Sequence, residues 1–284
     1  MNIPQAINAT VGHPGPIGVF DSGYGGLTIL NELRRALPDA DYLYLGDNAR
    51  APYGNRSFDL VYQFTLEAVR YLFARGCQLV ILACNTASAK ALRSIQQHDL
   101  PLLDPHRRVL GVIRPTAEAV GAATANGHVA LFATPGTVAS QSYAMELQKL
   151  FPSVVLTPHA CPMWVPLVEY GEASGDGADY FVSRDIGAAF SADPDIDTVI
   201  LGCTHYPLLL EKIRRYVPQG VKILSQGHIV AESLLDYLRR HPEIDSLITR
   251  RGTVEYLTTE SADKFTALAA TFVGAPTPAT RITL

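Results

Sequence analysis

Two phrases in this chain share a chemical layout. Val80-Ile81-Leu82-Ala83-Cys84-Asn85-Thr86-Ala87 and Val199-Ile200-Leu201-Gly202-Cys203-Thr204-His205-Tyr206 each run an apolar stretch into a cysteine and then into small polar residues. Such a stretch fits a buried parallel strand with the cysteine at its carboxyl end. In open α/β sheets, ligands sit in the crevice outside those ends. One strand-end cysteine is commonly no more than a small buried hydrophobe. Two of them, in repeated phrases, point to a thiol pair acting on one small molecule. Opposed thiols suit proton transfer on both faces of a carbon: a thiolate removes one proton, and the thiol opposite supplies another. A free thiol, with a pKa of about 8.5, needs helpers to act as a base. Asp21, at the end of the first apolar run, and His205, two residues after Cys203, are candidates. Asp21 equally fits a helix N-cap.

The turn Asp21-Ser22-Gly23-Tyr24-Gly25-Gly26 matches neither GxGxxG nor GxxxxGK[ST]. A tight turn of backbone N–H groups at a helix start suits a carboxylate as well as a phosphate. Asn85, Thr86, Thr134, Thr137 and Thr204 add neutral donors, so the set fits a small, anionic, multi-oxygen substrate. Glu169 alone reads as an ordinary surface acid. The cysteines, at 77, 84, 161 and 203, form no CxxC pair and no zinc spacing. No metal and no cofactor is therefore expected, and a redox pairing of Cys84 with Cys203 is the weaker alternative. With 23 basic and 27 acidic residues the net charge is -4, which gives no case for nucleic-acid binding. No apolar run reaches the length of about 18 residues that a membrane helix needs. Free cysteines and the lack of a signal-peptide pattern make a cytoplasmic protein the expectation.

The elements that position these residues alternate. Strands are expected at 17–20, 42–45, up to Cys84, 109–113, 128–133, 154–157, 198–201, 221–224 and 254–257. Helices fall between them, and the last, near 262–272, finishes the chain. Ser57 fits the N-cap of a helix with Leu60, Val61, Phe64, Ala68, Leu72 and Phe73 inward, closed by Gly76. Residues 98–108, with Pro101 and Pro105, read as a connector. Strand–helix alternation implies α/β architecture with a mostly parallel sheet. The stretch from His128 echoes the one from Ile17, which suggests two similar α/β domains, one ending near residue 112 and the other near 224. The last sixty residues pack on one or the other. Residues 1–16 read as a flexible N-terminal extension.

Taken together, Phe20-Asp21-Ser22-Gly23-Tyr24-Gly25-Gly26-Leu27-Thr28, Pro52-Tyr53-Gly54, Ala83-Cys84-Asn85-Thr86-Ala87, Val165-Pro166-Leu167-Val168-Glu169 and Gly202-Cys203-Thr204-His205-Tyr206-Pro207 resemble the signatures of glutamate racemases. They occur in order over nearly the whole chain. The resemblance implies a cofactor-independent racemase of two similar three-layer α/β domains with the active site in the cleft between them. It assigns 17–112 plus 225–284 to the first domain and 113–224 to the second. It implies that Cys84 takes the proton from D-glutamate, assisted by Asp21, and Cys203 from L-glutamate, assisted by His205. Glu169 matches the family's further acid. Ser22, Pro52, Tyr53, Gly54, Asn85, Thr86, Thr134, Thr137 and Thr204 match its substrate contacts. The family product, D-glutamate, feeds bacterial peptidoglycan, and a homodimer is compatible with the resemblance. A racemase for aspartate or another acidic amino acid is the nearest rival reading. Three departures stand out. Ser225-Gln226-Gly227 replaces the usual Asp-(Ser/Pro)-Gly, Ile113-Arg114-Pro115-Thr116 replaces the usual Pro-Gly phrase, and the connector at 104–108 looks longer than usual.

Overall fold

The computed structural model describes residues 12–284. Its strands fall into two sheets, and every adjacent pair in both is parallel. The first holds β1 (Ile17–Asp21), β2 (Tyr42–Gly46), β3 (Leu79–Leu82), β4 (Arg108–Gly111), β9 (Val254–Thr258) and β10 (Thr280–Arg281), in the order β10-β9-β2-β1-β3-β4. The second holds β5 (His128–Ala133), β6 (Val155–Ala160), β7 (Thr198–Gly202) and β8 (Lys222–Leu224), in the order β6-β5-β7-β8. β1, β3 and β7 are buried along their whole length, as strands covered by helices on both faces must be. Each apolar side chain so buried contributes roughly 1.5–3 kcal/mol.

The last sixty residues divide their contacts. β9 pairs with β2, while the helix Gln226–Arg240 packs against both Gly26–Ala36 and Ile113–Ala123, at the seam between the sheets. The extension expected over 1–16 lies largely outside the described residues. Gly15 is anchored: its N–H donates to Leu247 O at 2.9 Å, and its carbonyl accepts from Thr249 N–H at 3.0 Å.

Several local expectations need correction. Thr65 and Val69 join Val61, Ala68, Leu72 and Phe73 on the buried face of the helix Phe58–Ala74, with Phe64 half-buried against the same core, whereas Leu60 does not join it. Leu60 is 39% exposed, since it lies in the first turn. Ser57 caps that helix at Leu60 N, and Gly76 closes it at φ 94°. The supposed connector is helical as far as Leu103: a π turn over Ile95–Asp99 leads into Leu100–Leu103, whose first turn tolerates Pro101. Beyond it, the fully buried Arg107 pairs with Asp104 at 3.1 Å and lies over the Phe73 ring at 4.9 Å. The final helix does not finish the chain, because β10 follows it and pairs with β9. A two-residue strand is too short to leave a periodic signal.

Candidate active site

The register of the central strands sets the two cysteines in matching places. Phe20 of β1 faces Leu82 of β3, and Cys84 follows two residues later; Ala133 of β5 faces Gly202 of β7, and Cys203 comes next. Both cysteines line one cavity of about 190 Å³ at the carboxyl ends of the two sheets. That is below the ~300 Å³ floor of drug-sized pockets and suits a molecule of amino-acid size. A wider hollow of about 590 Å³, lined by Arg93, Arg114, Glu118 and Lys149, holds no cysteine or histidine.

Cys84 begins the helix Asn85–Lys90. Its Sγ accepts from Ala87 N–H at 3.4 Å and lies 3.3 Å from Ser22 Oγ. Burial and then the charge of Asp21 push the thiol up to about 12, against the pull of Ser22 and Ala87. Burial also raises the Asp21 carboxyl, opposed by His205 and by the N–H groups of Gly23 and Gly26. Asp21 Oδ2 accepts from Gly23 N–H at 2.8 Å, and Oδ1 is buried without a hydrogen bond of standard geometry among the described residues. Asp21 therefore ties the turn together. The helix that follows is capped at Gly25, without a side-chain hydrogen bond.

Cys203 has a different neighbourhood. Its Sγ is 3.9 Å from His205 Nδ1, and His205 Nε2 is 2.9 Å from Glu169 Oε1. Burial would lower the imidazole, but Cys203 and Glu169 outweigh it and raise His205 to about 10. This is a thiol, an imidazole and an orienting carboxylate in line. Glu169 ends the helix Trp164–Glu169, whose fully buried Trp164 packs on Phe132 at 5.4 Å and Tyr206 at 4.8 Å between ring centres. Such aromatic packing adds about 0.5–1.5 kcal/mol per pair and holds the helix end in place.

Hydroxyls join the two halves. Thr86 and Thr134 lie 3.0 Å apart, Thr134 and Thr137 3.0 Å, and Thr86 and Thr137 3.3 Å. Tyr53 O–H is committed to Asp47 Oδ2 at 2.5 Å, so the Pro52-Tyr53-Gly54 loop offers the cavity mainly backbone and ring. Gly54 O accepts from Gly136 N–H at 2.8 Å, across the seam.

Of the residues singled out in sequence, Ser22, Pro52, Tyr53, Gly54, Cys84, Asn85, Thr86, Thr134, Glu169, Cys203, Thr204 and His205 line the cavity. Asp21 and Thr137 are buried behind it, at 1% exposure each. Sequence reasoning gave no site role to Asn55, Cys161, Val165 and Tyr170, which also line it. Cys161 also lies just past a strand, but Pro158 ended the expected strand at 157, short of the observed end of β6 at Ala160.

The description Asp/Glu/Hydantoin racemase matches residues 26–234. The chain belongs to that family. A glutamate racemase of Ruegeria sp. (strain TM1040) is 41% identical over 267 residues, which is 90% of this chain and 96% of that protein. The crystal structure of a glutamate racemase isoform from Bacillus anthracis superposes with a TM-score of 0.83 at 32% identity, covering 96% of this chain and 99% of that one. A Francisella tularensis glutamate racemase, solved in complex with D-glutamate, gives 0.81 at 30% identity, covering 95% and 96%. The two-sheet α/β architecture of this racemase family member is thus that of its relatives.

Proposed function

We propose that this chain interconverts L- and D-glutamate by proton transfer between Cys84 and Cys203. The observation that carries this is the pair of strand-end cysteines on one amino-acid-sized cavity. The names of the relatives, and the D-glutamate complex of one of them, support the choice of substrate. Proton balance defines the cycle. The Cys203 thiolate removes the α-proton of L-glutamate, and the Cys84 thiol delivers its own to the opposite face. The sulfurs end with their protonation states exchanged, and solvent must reset them before another turnover in the same direction. His205, oriented by Glu169, is the proton partner of Cys203. Asp21 serves Cys84 as a proton acceptor, since its charge opposes rather than stabilises the anion. Ser22, Pro52, Tyr53, Gly54, Asn85, Thr86, Thr134 and Thr204 hold the substrate, with Thr137 bracing the threonines.

On this reading the product serves peptidoglycan synthesis in the cytoplasm. No helix among the described residues is long and apolar enough to cross a membrane. Segregation of the strands into two sheets supports a division into 17–112 with 225–284, and 113–224.

The test follows the proton. L-glutamate is incubated in deuterated water and stopped at low conversion, and the separated enantiomers are weighed by mass spectrometry. D-glutamate carrying deuterium at the α-carbon, beside largely unlabelled L-glutamate, is expected. Mostly unlabelled D-glutamate would refute the two-thiol mechanism. A panel of other acidic amino acids, aspartate first, checks the substrate.

A further inference from the structure

Cys161, Asp185 and His159 come together at the end of β6, where no sequence spacing announces them. His159 lies in the strand, Cys161 just beyond it, and Asp185 on the helix Asp176–Ala192. One ligating atom from each lies within 4.8 Å of the other two. His159 Nε2 is 3.5 Å from Asp185 Oδ1, and the His159 ring packs edge-on against Phe132, 6.0 Å between centres. Asp185 is 2% exposed, and its two oxygens are used unequally. Oδ1 accepts from Arg184 Nε at 2.9 Å and from a terminal guanidinium N–H at 2.7 Å, whereas Oδ2 is buried with no N–H or O–H donor among the described residues, and the Cys161 thiol is the group that faces this carboxylate. A buried carboxylate oxygen with no N–H or O–H donor is costly, and a cation held between it and the thiol would remove that cost.

We propose that His159, Cys161 and Asp185 form a binding site for a thiophilic divalent cation of the zinc type, and that its occupation inhibits turnover. One soft and two borderline or hard ligands are the donor mixture such an ion takes. Bonds of roughly 2.0–2.3 Å in a tetrahedral site place ligand atoms about 3.3–3.7 Å apart, so side-chain rotations closing the present spread by about 1 Å suffice. Binding converts the Cys161 thiol to thiolate and releases that proton to solvent, while His159 binds neutral. The remaining coordination position belongs to water or to a group in the cavity, because Cys161 lines the same cavity as Cys203. An ion there sets a fixed positive charge beside the reacting thiol and obstructs a substrate. A second cluster, His128 with Asp193 and Asp195, differs in kind: both Asp193 oxygens already take hydrogen bonds at the surface.

The inhibitory part rests on the proposed racemisation; the binding part does not. Two readouts separate them on the full-length protein after treatment with a chelator. Cadmium titration is followed by thiolate-to-metal charge-transfer absorption, and zinc titration by racemisation rate. The wild type is expected to bind one cadmium saturably and to lose turnover to zinc. Cys161→Ser should abolish the absorption. His159→Gln and Asp185→Asn should each weaken binding and raise the half-inhibitory zinc concentration about tenfold or more, with turnover in chelator unchanged. His159 is partly exposed, so its variant tests the site even where Asp185→Asn fails to fold. Absence of saturable absorption overturns the site. So does wild-type behaviour in both variants with binding lost only in Cys84→Ala or Cys203→Ala, which places the ion on the reaction thiols. Binding without slowing overturns the inhibitory role. A wild type with no turnover in chelator defeats the racemase reading instead, and cadmium still judges the site.

Discussion

Gln226 and Asn85 form a reciprocal amide pair: Asn85 Nδ2 donates to Gln226 Oε1 at 2.5 Å, and Gln226 Nε2 donates back to Asn85 Oδ1 at 3.1 Å. The pair is closed by Tyr143, whose O–H donates to Asn85 Oδ1 at 2.8 Å and whose oxygen accepts from Gln226 Nε2 at 2.8 Å, and by Thr116 Oγ1 at 3.0 Å from the same nitrogen. Every member is buried. Asn85 follows Cys84 directly, so a residue 141 positions downstream holds the entrance of the Cys84 helix. This gives the Ser225-Gln226-Gly227 departure a physical role.

Gln226→Leu removes that grip and strands buried donors and acceptors on Asn85 and Tyr143. It should destabilise the fold by on the order of 3 kcal/mol and raise the KM for glutamate. Tyr143→Phe, which removes one donor and one acceptor but leaves Gln226 Nε2 bonded to Asn85 Oδ1 and Thr116 Oγ1, should cost about 1 kcal/mol. Urea unfolding of the set checks the order, and equal effects of the two substitutions would contradict the network.

Cys84→Ala and Cys203→Ala should each fold, since the four cysteines are free and none is held in a disulfide. Each should abolish racemisation, because one face of the α-carbon loses its proton carrier. Polarimetry in both directions reads this directly. Near wild-type turnover in either variant defeats the two-thiol assignment.

Asp21→Asn and His205→Asn should affect the two directions unequally. In the proposed mechanism Asp21 acts on the Cys84 side and His205 on the Cys203 side. The equilibrium constant ties the overall kcat/KM values of the two enantiomers together, so the asymmetry belongs in kcat and in primary isotope effects. Asp21→Asn should slow proton removal from D-glutamate more. Matching changes in both variants on both substrates would undo the pairing.

The pH dependence of stability tests the His205 relay. The imidazole of the folded protein is raised to about 10 from the ordinary 6.5, so folding favours its protonated form. That contribution is fully present below pH 6.5 and is lost as the pH rises towards 10. The urea midpoint should fall across this window in the wild type and fall less in His205→Asn. A His205→Asn protein with an unaltered pH profile would show that the Cys203 and Glu169 contacts do not hold the proton.

Gly25→Ala probes close approach. A Cβ at Gly25 would come within 3.0 Å of both Thr204 Oγ1 and His205 Nδ1. Displacing His205 by even an ångström should lower kcat/KM about 100-fold. Gly187→Ala, where nothing lies within 4 Å of the added carbon, is the control and should leave turnover intact.

The strand-end cysteines, the order of strands and helices, and the motifs that place the chain among racemases are all local patterns. Each reports its own neighbourhood, and a buried parallel strand followed by Cys84 or Cys203 is legible without knowing what faces it. Long-range contacts leave no such pattern. Gln226 on Asn85, Glu169 on His205 and the threonine cluster join residues far apart in sequence, which no periodicity encodes. The placement of Asp21 behind the cavity also had to wait, because an N-cap and a buried turn carboxylate read alike in sequence. Cys161 shows the limit most clearly. Its partner Asp185 lies on a separate helix, and only tertiary packing brings that buried carboxylate to the end of β6.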